Sequence, residues 1–137
     1  MFKAKHIMTK MVITAQPDMP VYDAIRLLAN RSLAGLPVVD ADLNLLGVLS
    51  EKDVLDLLYE TEDRAERTVA DYMNTQFACF DVGTNLIDLC DYLMHNPFGP
   101  VAVTQDGKLA GVIGVTDLIR TILQIKHQQP SAVAVRV

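Results

Sequence analysis

Gly47-Val48-Leu49-Ser50-Glu51-Lys52-Asp53-Val54 runs from a glycine through a short apolar strand to an aspartate that opens a helix. The phrase returns as Gly111-Val112-Ile113-Gly114-Val115-Thr116-Asp117-Leu118, its aspartate 64 residues after the first. Each copy holds a glycine, two apolar residues and an aspartate six positions after the glycine. Self-similarity at a fixed period marks a repeat architecture. The chain therefore reads as two copies of one strand-to-helix unit.

Working outward, the rest of each copy falls into place. Val12-Ile13-Thr14 is β-branched and predicts a strand, ended by the turn Pro17-Asp18-Met19-Pro20. Pro20 suits the first turn of a helix, where its missing N–H does no harm. Val21, Ala24, Ile25, Leu27 and Leu28 follow at helical spacing, and the helix should stop between Arg31 and Gly35. Leu36-Pro37-Val38-Val39 and Leu45-Leu46-Gly47-Val48-Leu49 predict two antiparallel strands around a polar turn at 40–44. Ser50 leads a second helix with Val54, Leu55, Leu57 and Leu58 apolar. After a charged break the pattern restarts. Asp71-Tyr72-Met73-Asn74 echoes His6-Ile7-Met8-Thr9, and Phe77-Ala78-Cys79-Phe80 stands for the first strand. Thr84 or Asn85 caps a helix bearing Leu86, Ile87, Leu89, Cys90, Leu93 and Met94. Val101-Ala102-Val103 and 109–113 are strands around an Asp106-Gly107 hairpin turn. Thr116 to Lys126 is a last helix, longer than its counterpart. The offset between copies falls from 65 to 64, so one residue is lost after the first helix.

Each half is thus β-α-β-β-α, a mixed α+β fold. We expect repeat 1 over 1–60, a charged connector over 61–68, repeat 2 over 69–127 and a tail over 128–137. A unit of about 60 residues buries too little surface to be comfortable alone. A pseudo-two-fold pair, one half's sheet packed on the other's, supplies the missing core. The two corners would then lie in related clefts between the halves.

Bulk properties bound the function. With 137 residues, half of them apolar, the chain can fold without a disulfide or metal. A net charge of −5 gives no footprint for nucleic acid. No apolar run approaches the ~20 residues of a membrane span, and the N-terminus lacks a signal peptide's apolar block. Cys79 and Cys90 read as free thiols in a reducing cytoplasm. His6, His95 and His127 are scattered, which predicts no metal site. No nucleophile with a paired base stands out, which predicts no enzyme.

A helix starting at a strand end directs unpaired N–H groups into the space ahead and favours an anion there. Asp117 can accept from a vicinal diol and Thr116 can donate to a phosphate oxygen. The alternative is plain capping, since Asp and Thr are ordinary cap residues.

The pattern as a whole resembles a tandem pair of CBS domains, a Bateman module, over about residues 4 to 126. Its marks are Ile7-Met8-Thr9, Val12-Ile13-Thr14 with Pro17-Asp18, Leu36-Pro37-Val38-Val39-Asp40, and Gly47-Val48-Leu49-Ser50 with Asp53. The second copy matches through Met73, Leu86, Asp88, Gly107 and the run from Gly111 to Asp117. The resemblance implies a non-catalytic regulator that binds AMP, ADP, ATP or S-adenosylmethionine, with no cofactor required. One cleft would use Val112, Thr116 and Asp117 facing Ile13, Leu33, Ala34 and Gly35, with Met8 and Thr9 nearby. The other would use Val48, Ser50, Lys52 and Asp53 facing Ala78, Phe98, Gly99 and Pro100. Apolar strand residues would sandwich adenine, and backbone groups at 33–35 or 98–100 would read its edge.

Each corner departs from the family's usual pair of hydroxyls: the first keeps Ser50 but has Lys52, the second has Thr116 but Gly114. Lys52 can meet a phosphate or lie in solvent, and Phe98 can fill its own cleft. The Asp117 cleft is therefore the expected working site, and Asp117→Ala should weaken nucleotide binding more than Asp53→Ala. The resemblance further implies a homodimer through the helices; with no effector domain read in it, the chain is expected to act on a separate, unidentified effector protein or to be a fragment of a longer chain. The rival reading is an interaction dimer with empty clefts. The 132–137 alternation reads either as a frayed tail or as an added edge strand.

Overall fold

A computed structural model describes residues 2–60, 66–97 and 99–126 of the chain. Repeat 1 contributes α1 (Ala4–Ile7), α2 (Val21–Arg31), β1 (Gly35–Val39), β2 (Leu45–Ser50) and α3 (Glu51–Leu55), followed by a 3-10 turn over Asp56–Tyr59. Repeat 2 contributes α4 (Val69–Tyr72), β3 (Cys79–Asp81), α5 (Leu86–His95), β4 (Val101–Gln105), β5 (Lys108–Ile113) and α6 (Val115–Lys126). Helix α2 forms where Val21, Ala24 and Leu28 recur on one buried face, and Ser32 ends it in the left-handed region at φ 53°. Asn85 caps α5, its side chain accepting from the Asp88 N–H.

The expected strand over 12–14 is corrected. In repeat 1 only Ala15 pairs, in parallel, with Val38. The matching segment of repeat 2 is the three-residue strand β3, paired in parallel with β4. Two prolines account for the difference. Sheet register places Pro37, opposite Val48, where Ala102 stands opposite Val112. Ala102 bridges Cys79, whereas Pro37 has no N–H for the next rung. On the other side Val82 donates to the Thr104 carbonyl at 3.0 Å. Its counterpart is Pro17, again without an N–H. The second helix of repeat 1 is also shorter than expected, turning 3-10 after Leu55.

Register also places the lost residue. Val38 faces Gly47 and Val103 faces Gly111, so the copies are 65 apart before the hairpin and 64 after it. The repeat 2 hairpin closes tightly, with Asp106 at φ 54° and Gly107 at φ 79°, the positive pair that a type I′ turn requires. The wider repeat 1 hairpin is held by Asp40, which accepts from the Asp42 and Asn44 N–H groups and the Asn44 amide at 2.9–3.0 Å. Those bonds hold the Asp40 carboxyl below the usual carboxylate range, the Asn44 side chain being the largest cause. The hairpins meet across the pseudo-axis. Leu45 N–H donates to the Gly107 carbonyl, and Leu109 N–H to that of Leu43.

The short helices α1 and α4, not foreseen as helices, are exchanged between repeats. Ala4, Ile7 and Met8 pack with Leu89, Leu93, Val101, Val103 and Ile113. Val69, Tyr72 and Met73 pack with Ala24, Leu28, Leu36, Val38 and Leu49. Each arm then adds one antiparallel rung to the other repeat, Thr9 to Val112 and Asn74 to Val48. Gly111 and Gly47 permit this close approach. A Cβ on Gly111 would lie 2.7 Å from the Thr9 carbonyl oxygen, and one on Gly47 would lie 2.9 Å from that of Asn74.

Candidate functional site

Each β-strand leading to a corner delivers its last residues to a helix start. At the first corner Ser50 caps α3: its N–H and Oγ both donate to Asp53 Oδ2 at 2.8 Å, and its Oγ accepts from the Asp53 N–H at 3.3 Å. At the second corner Gly114 has no hydroxyl to share. Its N–H donates to Asp117 Oδ2 at 2.8 Å, while Asp117 Oδ1 accepts from Thr9 Oγ1 at 3.1 Å and lies 3.6 Å from Arg120 Nη1. Each aspartate thus reaches back from the first turn of its helix to the N–H of the residue before it, an arrangement of the capping kind.

Among the described residues, two cavities have walls drawn from both repeats. The first is about 170 Å³ and is almost wholly apolar. Thr9, Ile13, Leu33, Ala34, Gly35 and Val112 line it, as expected, together with Met11, Val12, Pro37, Val48, Pro100 and Ala102. Asp117 and Thr116 are not on its wall, and Thr116 is exposed. Met8 packs into the repeat 2 core against Gly111. The Ala34 carbonyl accepts from the Glu51 N–H at 3.1 Å, so that oxygen already has a partner.

The second cavity is about 390 Å³ and mixes polar and apolar walls. Val48, Ser50, Lys52, Asp53, Ala78, Gly99 and Pro100 all line it. Phe98 lies outside the described residues. Sequence reasoning missed Asn74, Gln76, Phe77, Tyr92, Asn96, Val101 and Ala102 on this wall. Repeat symmetry carried the signal for some: Asn74 is the counterpart of Thr9, and Gln76-Phe77 of Met11-Val12. Tyr92 and Asn96 come from α5, linked by the Asn96 amide donating to the Tyr92 carbonyl at 3.0 Å. The larger cavity reaches the lower end of the usual ligand-pocket range of ~300–1,000 Å³, and the smaller falls short of it. Among the described residues, no three His, Cys, Asp or Glu side chains are grouped to hold a metal, and no helix is long and apolar enough to cross a membrane.

The CBS domain family model matches residues 4–60 and 69–124. The chain belongs to the CBS-domain family. It carries the two CBS domains in tandem, and its mixed α+β pair is the fold of solved CBS-pair proteins. CBSX2 of Arabidopsis thaliana, solved in complex with AMP, is 30% identical with a TM-score of 0.80, covering 92% of this chain and 99% of that one. A putative acetoin utilization protein from Vibrio cholerae shares the fold at 22% identity, with a TM-score of 0.82 over 95% of this chain and 99% of that one. The uncharacterized protein MJ1225 of Methanocaldococcus jannaschii is 27% identical over 86% of this CBS pair. The chain spans 42% of that relative's length.

Proposed function

We propose that this CBS pair is a non-catalytic regulatory module that binds an adenosine-type ligand between its repeats, in the Asp53 cleft. The observation that carries the reading is the second cavity itself. Apolar Val48, Ala78 and Ala102 offer a face for a purine, while Asp53 supplies an acceptor for the sugar and Lys52 a cation for phosphate. Asp53 Oδ1 accepts no hydrogen bond among the described residues, which leaves an acceptor for a ribose diol. This choice reverses the order expected from the sequence. CBSX2, solved with AMP, supports the ligand class.

Residues of both repeats line the cleft, so a ligand there favours whichever relative placement of the repeats it fits best. A partner protein that distinguishes those placements reads the occupancy as a population shift. The module also pairs with a second copy through its helices. Leu55, Leu58 and Tyr59 after β2, and Ile119, Ile122 and Leu123 on α6, are exposed apolar side chains, Leu58 at 81% and Tyr59 at 85%. Apolar faces of this extent mark interaction surfaces. They also favour the second reading, an interaction dimer with empty clefts.

Thermal denaturation with AMP, ATP and S-adenosylmethionine separates the readings. A ligand at 100 times its Kd stabilises by ~2.7 kcal/mol, a rise of about 9 °C at ~0.3 kcal/mol per kelvin for a chain of this length. No rise with any of the three removes the ligand-binding reading and leaves the interaction dimer.

A further inference from the structure

We propose that the Thr9–Asp117 hydrogen bond is a latch that keeps the second nucleoside cleft of this chain shut, so that the module takes one ligand per chain rather than two. The inference rests on the adenosine reading above. The two corners are related by the repeat, yet their aspartates are in different states. Asp117 is fully engaged: Oδ2 accepts from Gly114 N–H at 2.8 Å, and Oδ1 accepts from Thr9 Oγ1 at 3.1 Å with Arg120 Nη1 3.6 Å away. Its side chain is 13% exposed. Asp53 spends only Oδ2, on Ser50, and its Oδ1 accepts nothing among the described residues.

The difference comes from the exchanged arms. Thr9 and Asn74 occupy equivalent rungs, against Val112 and Val48. Thr9 turns its hydroxyl to the carboxylate. Asn74 instead folds back, its Oδ1 accepting from the Gln76 N–H at 2.9 Å, and Asp53 is left to the cleft. Cavity walls agree with the bonding. Asp53 and Asn74 both line the 390 Å³ cavity, whereas Thr9 lines the 170 Å³ cavity and Asp117 does not. Thr9 thus intervenes between its cavity and the carboxylate. A diol reaching Asp117 would have to displace the hydroxyl first. Giving up a hydrogen bond to a charged group weakens affinity by about tenfold to hundredfold.

Thr9 is exposed, and Thr9→Ala keeps the backbone rung while removing both the donor and the side-chain atoms that stand before the carboxylate. Calorimetric titration with AMP tests the latch. Wild type should saturate at one AMP per chain and Thr9→Ala at two. Asp53→Asn should weaken the wild-type site by about tenfold or more, and Thr9→Ala/Asp53→Asn should keep one site. Two sites in wild type, or one in Thr9→Ala, overturns the latch while leaving the adenosine reading intact. No binding to either protein overturns both.

Discussion

Gly111→Ala tests the exchanged architecture at its tightest point. The added Cβ would lie 2.7 Å from the Thr9 carbonyl oxygen and 2.8 Å from Met8 Sδ. The sulfur ends a flexible side chain and can move. The carbonyl cannot, because it accepts from the Val112 N–H at 3.0 Å within the rung that holds the arm. Overpacking costs ~1–3 kcal/mol, and a backbone contact puts this case at the upper end. Alanine recovers ~0.5–1 kcal/mol by restricting the unfolded chain within a strand. The net loss is about 1–2 kcal/mol, a fall in Tm of about 4–7 °C at ~0.3 kcal/mol per kelvin. Melting followed by circular dichroism, with Gly47→Ala alongside, reads this directly. Gly47→Ala should fall in the same direction but by less, since its nearest atom is at 2.9 Å. A Tm for Gly111→Ala equal to or above wild type would refute the close docking of the arm.

Three further outcomes are expected. Asn85→Ala removes the α5 cap and should cost ~1 kcal/mol, or about 3 °C in the same melt; an unchanged Tm would mean the cap is unused. Asp40 has its folded pKa lowered by its Asn44 and Asp42 bonds. Its stabilisation is therefore present above the ordinary value near ~3.9 and fades as pH falls through the lowered folded value. Urea melts of wild type and Asp40→Ala should differ at pH 6 and converge as the carboxyl protonates; a gap constant down to pH 2 would contradict the assignment. If the proposed dimer forms, Leu58→Asp, at an exposed site, should shift sedimentation from dimer to monomer with the fold intact; a wild type that sediments as a monomer would remove the dimer, and a variant that stays dimeric would place the contact away from Leu58.

Most of the secondary structure could be read from the chain because its cues are local. Continuous apolar runs marked β1 and β4, buried along most of their length, Asp106-Gly107 fixed one turn, and helical spacing gave α2 and α5 their faces. What escaped was relational. Val12-Ile13-Thr14 has strand composition, but its pairing depended on Pro37, a residue far along the chain, and on Pro17. The helices α1 and α4 are four residues each and acquire their stability only by docking on the other repeat. Most of the expected cleft residues do line the two cavities, because repeat symmetry places corner against loop. The engagement of Asp117 by Thr9, 108 positions away, has no local signature.

The exchanged arms also set an order of events for a chain emerging from the ribosome. Ala4 and Ile7 are made about a hundred residues before their neighbours Val103 and Ile113. The repeat 1 core likewise waits for Val69 and Met73. No core is complete when residues 1–60 have appeared, and one remains open until β5 exists. Long-range closure of this kind slows folding and leaves apolar surface uncovered during synthesis. A nascent repeat 1 is thus a surface awaiting its arm, and until residues 69–73 are made it can take the arm of a neighbouring chain.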